Sequence, residues 1–294
     1  MTVGIDMTME KDTIQSQEAE FATKQEVAWA TAIQQAAQAD PEIRADVISD
    51  LEFFQHAVVA KDNVDKALGR IRRMQKFKEM YGIQGNGSFE QGLRDAARSL
   101  ELQPGLSLGV GVLDDHTHCM CMEYRHFKTR LHTTPESIAI TLRGAFYGVQ
   151  SCQDSLPAIR AGVELLVDAK GVGWVNFDLK VEERMAQLSS NAYPLRVRSQ
   201  VVMNINFWMR LLMKAANLLF LSKKLRQVQV LVGNRDAYLR EQAHRYPKDA
   251  LPVKWGGTLR EQDNFEVFRH KLKRRYELEA NFRLTPGAED DPGE

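Results

Sequence analysis

The 294-residue chain has only three cysteines, Cys119, Cys121 and Cys152. Three thiols cannot form an even disulfide framework, so the composition fits a reducing, cytoplasmic setting rather than a stapled secreted fold. Net charge is absent too, since 39 Lys and Arg balance 39 Asp and Glu. Bulk electrostatics then favours neither nucleic acid nor an anionic surface, and any attraction to phosphate must come from a local patch. The first residues, MTVGIDMTMEKD, lack the basic start and apolar run of a secretion signal. The nearest approach to a membrane span, 201–221, carries Arg210 and Lys214 in its middle. At about 2.5–3.5 kcal/mol for each charge, that stretch is not a transmembrane helix. No GxSxG, no phosphate loop ahead of a helix and no HExxH occurs, and the glycines of GLSLGVG (105–111) follow no strand. HTHCMC (116–121) invites a metal reading. Extended backbone would put His116 and His118 on one face and Cys119 and Cys121 on the other, so packed thiols are expected instead of a metal site. These absences point to a binding protein with no cofactor, not an enzyme.

What the chain does have is an over-apolar stretch from Tyr193 to Leu221. Leu195, Val197 and Val201–Met203 read as a strand, with Arg196 and Arg198 on its other face. A helix from about Phe207 to Leu221 follows, apolar except for a thin stripe of Arg210, Lys214 and Asn217. Ahead of it, 21–38 and 43–60 read as helices. A third, capped by Asp62, carries a basic run from Arg70 to Lys78 that reads as a solvated face. Residues 101–117 read as a connection, 118–124 as a strand, and Thr134–Pro135 as the start of a helix to Ser151. Strand 162–167, helix 179–192, strand 228–232, helix 236–245 and a last basic helix, 265–278, complete the pattern. Alternating strands and helices predict an α/β fold, a mostly parallel sheet covered by helices behind an N-terminal helical unit. The expected divisions are a flexible 1–20, helical 21–100, the connection 101–117, the α/β domain 118–260, and a helix with an acidic disordered tail over 261–294. Greasy helices over a sheet with no catalytic constellation suggest a pocket for something apolar.

Four segments, GVELLVDAKG (162–171), YPLRVRSQVVMN (193–204), FLSKKLRQVQVLVG (220–233) and LPVKWGG (251–257), resemble in order and spacing the CRAL-TRIO lipid-binding domain family. The likeness is to the branch of alpha-tocopherol transfer protein and cellular retinaldehyde-binding protein. It implies a cytosolic carrier, monomeric, that holds one hydrophobic ligand under a mobile gate helix and exchanges it at phosphoinositide-containing membranes by transient peripheral contact. Tocopherol-like, retinoid-like or other lipid cargo fits. A phosphatidylinositol or phospholipid-transfer role, or an interaction module with a collapsed pocket, is the alternative. The resemblance and inward spacing nominate Leu142, Ala145, Phe146, Val149, Val163, Leu165, Val167, Leu188, Leu195, Val197 and Phe207 as pocket lining. It nominates Arg196, Arg198, Lys224 and Arg226 for a phosphoinositide headgroup, and Lys254 for a phospholipid headgroup. Trp208, Leu211, Leu212 and Leu218 fall on the gate. Asn206 stands where the family usually has proline, and Val228 where it usually has a basic residue.

Overall fold

The computed structural model of the chain describes residues 21–105, 111–207, 210, 211, 214 and 229–284. The N-terminal part is helical, and each helix starts on a side chain that satisfies an orphan backbone N–H. Helix α1, Lys24–Ala39, opens on a Thr23–Glu26 capping box. Helix α2, Asp50–Ala60, is capped by Ser49, and α3, Val64–Met80, by Asn63. The cap of α3 is thus Asn63 and not Asp62. The stretch read as one helix over 43–60 is a short 3-10 turn, Ala45–Val47, followed by α2. Helix α4, Phe89–Leu102, is capped by Ser88 and was not anticipated. Phe89, Leu93, Ala96 and Leu100 form its inward stripe, with Gly92, Asp95 and Ser99 buried beside them. Small residues let it lie close against the next helix: a Cβ on Gly92 would sit 2.8 Å from Tyr147 Cδ1 and 2.7 Å from Leu272 Cδ2.

The sheet has the order β1–β2–β3–β4–β5. Its strands are β1 Gly111–Val112, β2 His118–Glu123, β3 Val163–Asp168, β4 Val197–Met203 and β5 Gln229–Leu231. β1 is antiparallel to β2, and the other pairs are parallel. The α/β class with a mostly parallel sheet holds. The region read as connection contributes strand β1, and His116 sits in the β1–β2 turn with φ 64° rather than on the strand beside His118. Cys119 and Cys121 do share a face, with sulfurs 3.8 Å apart.

Helix α5, Pro135–Ser151, begins at Thr134 as its Thr-Pro start predicts. It is followed by α6, Leu156–Ala161, and α7, Leu179–Ala186. α7 runs into a π turn, Gln187–Ala192, where a continuous helix to 192 was expected. Successive parallel neighbours joined by right-handed crossovers place their connecting helices on one face of the sheet. Side-chain alternation matches this. Val163, Val167 and Val202 join α5 in one apolar cluster. Leu166, Val201 and Met203 face the other way, onto Leu239, Tyr246, Leu251 and Trp255. Leu239 lies on α8, Arg235–Glu241. Helix α9, Glu261–Asn281, is longer than predicted and is no peripheral basic helix. Phe268 and Leu272 are fully buried in the first cluster.

The basic run of α3 corrects the expectation of a solvated face. Lys78 of α3 is buried, its Nζ 2.9 Å from Glu52 Oε2 and 2.6 Å from Asn86 Oδ1. Arg70 Nη1 donates to the Tyr193 carbonyl at 3.2 Å, tying α3 to the entrance of β4. Arg72 pairs with Asp40 and Glu42.

Candidate functional site

The nominated pocket residues come from four elements and converge. Leu142, Ala145, Phe146 and Val149 project from α5, and Val163, Leu165 and Val167 from β3. Leu188 comes from the π turn, and Leu195 and Val197 from the start of β4. All ten are buried in, or packed against, the apolar cluster between the sheet and its helices. Phe146 is at its centre, edge-on to Tyr147 at 5.2 Å and to Tyr193 at 5.5 Å. Phe207 does not join them. It follows β4 at the carboxyl edge of the sheet and is 73% exposed.

Phe207, Arg210, Leu211 and Lys214 are helical and all solvent-facing. The gate residues Trp208, Leu212 and Leu218 lie outside the described residues, as do the basic positions Lys224 and Arg226. The turn into this helix is fixed by side chains. Asn204 takes φ 54°, and its amide donates to Asp168 Oδ1 at 2.8 Å. Asp168 also pairs with Arg235 at 2.8 Å. Asn206 donates from Nδ2 to the Val172 carbonyl at 2.9 Å, and its own carbonyl accepts from Arg210 N at 3.1 Å. The asparagine at the usual proline position thus starts the helix and ties it to the loop after β3.

That loop and the one after β2 share the carboxyl edge of the parallel sheet. Residues 124–134 (YRHFKTRLHTT) and 169–177 (AKGVGWVNF) hold Arg125, Lys128, Arg130 and Lys170 and no Asp or Glu. Leu131, Trp174 and Val175 are exposed there, with Phe207 and Leu211 following β4. The Arg130 guanidinium lies 4.2 Å from the centre of the Trp174 ring. Sequence reasoning passed over this patch because its apolar residues are scattered singly. The signal that could have found it is a run of cations without one carboxylate in a chain of zero net charge.

The headgroup arginines are exposed but not arranged as a paired strand edge. Register shifts at Val163/Glu164, which pair with Val197 and Ser199, so Arg198 is the extra residue of a β-bulge. Arg198 Nη1 pairs with Asp115 and donates to Thr117 Oγ1 at 2.8 Å. Burial would raise the Asp115 carboxyl, but the bonds from Thr117 and Arg198 outweigh it and hold the carboxyl low. Arg196 Nη1 donates to the Arg160 carbonyl at 3.0 Å. The Arg196 backbone lies against Gly162, which has φ 84° and whose added Cβ would sit 2.1 Å from the Arg196 oxygen. Lys254 lies 3.3 Å from Glu123 Oε2, on the side of the molecule lined by Leu251 and Trp255.

A polar feature borders the apolar cluster. Tyr124, buried in it, donates its hydroxyl to Glu182 Oε1. Burial pushes the Glu182 carboxyl up to about 7, the Tyr124 bond opposes the rise, and Asp178 adds to it. The Cys152 thiol is pushed up to about 12, chiefly by burial. Among the described residues no group of three His, Cys, Asp or Glu is placed to hold a metal, and no helix is long and apolar enough to cross a membrane.

A mostly parallel sheet with an apolar cluster under its helices is a geometry shared with known proteins. Residues 114–257 match the CRAL/TRIO domain. The CRAL/TRIO match covers strands β2 to β5, α5 to α8 and the segment through Gly257. The chain is also similar to the tyrosine-protein phosphatase non-receptor type 9 of Rattus norvegicus and of Homo sapiens. In each case it is 25% identical over 135 residues, 46% of this chain and 22% of the relative. The chain thus spans about a fifth of the length of these relatives. Among solved structures it resembles the crystal structure of Sfh5, with a TM-score of 0.53 at 12% identity, covering 87% of this chain and 98% of that one. That likeness extends the common fold beyond the CRAL/TRIO region into the N-terminal helices.

Proposed function

We propose that the chain is a lipid-binding protein of the CRAL/TRIO kind, acting by binding and not by catalysis, and carrying one apolar ligand between the sheet and α5. The observation that carries this reading is the convergence of ten side chains from α5, β3, the π turn and β4 into one apolar cluster beside an exposed helix start. Tocopherol-like and retinoid-like ligands remain the finer form of the proposal. The phosphatase relatives lend no activity to this chain, since the similarity spans 22% of them. Lipid extracted from the purified chain is expected to include one species at near-equal molar amount, identified by mass spectrometry. A lipid-free preparation that then takes up no retinoid, tocopherol or phospholipid would sink the reading. The alternative, an interaction module with a filled core, is supported by the aromatic packing around Phe146.

The carboxyl edge of the sheet is our candidate for membrane contact, a peripheral contact made from solution. Trp174, Leu131 and Phe207 supply apolar surface, and Arg125, Lys128, Arg130 and Lys170 supply charge that suits anionic lipid. Arg196 and Arg198 remain the proposed phosphoinositide contact, with Asp115 as a competitor that phosphate would have to displace. Flotation with vesicles containing phosphatidylinositol bisphosphate separates the two surfaces. Trp174→Asp combined with Arg130→Glu is expected to reduce binding by about tenfold or more, since each charge near the surface is worth about 1 kcal/mol and each reversal counts twice. Unchanged flotation would remove the loops from the contact.

A further inference from the structure

The apolar cluster is closed at the end of β2 by a carboxyl–phenol pair that a hydrocarbon ligand alone does not require. Tyr124 follows the last residue of β2, and Glu182 lies on α7 next to Val181, which is 1% exposed in the same cluster. The Tyr124 ring packs 5.7 Å from Phe127, and its hydroxyl donates to Glu182 Oε1. Glu182 itself keeps part of its surface accessible. The pair is held rigidly from behind. Asn176, 2% exposed, donates from Nδ2 to the carbonyls of Tyr124 at 3.0 Å and Arg125 at 2.8 Å. Thr129 Oγ1 donates to the Asn176 carbonyl at 3.1 Å and accepts from Asp178 N at 2.8 Å, which fixes the start of α7. A site whose polar groups are locked by such supports is pre-organised for a partner.

Moving a carboxyl out of water is costly unless its oxygens find donors. Tyr124 supplies one donor and leaves acceptor capacity on the carboxyl. An alcohol hydroxyl meets that need. A fatty-acid carboxylate or a phosphate would place like charges together, and an ester offers no donor. We propose that Tyr124 and Glu182 are the polar anchor of the ligand site and select an apolar molecule ending in a hydroxyl, which donates to the Glu182 carboxyl. This rests on the lipid-binding reading and adds the class of headgroup to it. Burial raises the Glu182 carboxyl to about 7, which shows the cost of charge there and disfavours a second anion beside it.

The test uses the full, delipidated chain with N-phenyl-1-naphthylamine bound as a neutral fluorescent probe. Octadecanol, octadecanoate and methyl octadecanoate, matched in chain and different in head, compete for it. The wild-type chain is expected to prefer octadecanol over the other two by about tenfold or more, one good hydrogen bond's worth. In Glu182→Leu the probe still binds and the preference disappears. Should that variant fail to fold, Glu182→Gln decides: its amide oxygen still accepts from octadecanol, while the bias against octadecanoate is lost. The same ranking in either variant as in the wild type overturns the anchor and leaves the carrier reading intact. Failure of the wild type to take up the probe or any of the three overturns the carrier reading, and the anchor falls with it.

Discussion

Acidification from pH 7 to pH 3 is expected to cost the fold about 4–5 kcal/mol through His56 alone, roughly 1.4 kcal/mol per pH unit below the free imidazole value. His56 is 0% exposed on α2, and among the described residues neither ring nitrogen has a hydrogen-bond partner. Burial first, then the nearby cations Arg70 and Lys78, lower its pKa from 6.5 to about 3. The unfolded chain therefore takes up the proton first as pH falls. The stability contributed by the neutral ring is whole above about pH 6.5 and drains away down to about pH 3. Domains of ordinary stability hold about 5–15 kcal/mol in total, so this one ring can account for acid unfolding. Glu182 works in the opposite sense, because its folded carboxyl keeps a proton that the unfolded chain has lost between about pH 4.5 and 7. The wild-type curve mixes both, and the difference from a His56→Leu variant isolates the imidazole. Urea midpoints measured at pH 7 and pH 4 should lie closer together for the variant than for the wild type, with His118, also lowered by burial, accounting for part of what remains. Midpoints that fall in parallel would refute the assignment.

The same residues show what a linear sequence reveals and what it hides. Helix α5 was legible because Thr134 and Pro135 announce its start and Leu142, Ala145, Phe146 and Val149 repeat at helical spacing. Strand β3 was legible as a short apolar run, and the crossover pattern then fixed a parallel sheet. Helix α4 was legible in the helical spacing of Phe89, Leu93, Ala96 and Leu100 and was passed over, while Gly92 lets it pack closely on α5. Strand β1 is a two-residue partner held by the β2 edge. In β4 one inserted residue, Arg198, re-phases the alternation, so Val197 and Val202 share a face that simple counting assigns to opposite sides. Ten of the nominated pocket residues still fall in one cluster because most of them lie on regular elements. Phe207 lies outside that cluster because its place depends on where β4 ends and the next helix leaves the sheet. The Tyr124–Glu182 pair was missed because the two residues are 58 apart in sequence and neither belongs to a motif.

The buried arginine of α9 was hidden for a related reason: a basic helix looks solvated until its acidic partners are known. Arg275 is 1% exposed and lies 3.0 Å from Glu279 Oε2, one turn on. Burial alone would raise the Glu279 carboxyl, but Arg275, together with the bonds from Ser49 and Asn86, holds it below its ordinary value. Asn86 carries the network onward to Lys78, and Lys78 to Glu52, so one chain of charges joins α9 to α2 and α3. Arg275→Met is therefore expected to cost about 3–5 kcal/mol, because it strands a buried carboxylate as well as removing a contact. Arg275→Met with Glu279→Leu should recover most of that loss, since apolar groups of similar volume can replace both ends of a buried pair. Urea unfolding at pH 7 gives the three stabilities needed beside the wild type, with Glu279→Leu closing the cycle. Additive losses in the double variant would show that Arg275 packs and does not pair. A recovery would establish that the charges in α9 are bound to one another, in a helix against which α5 also packs.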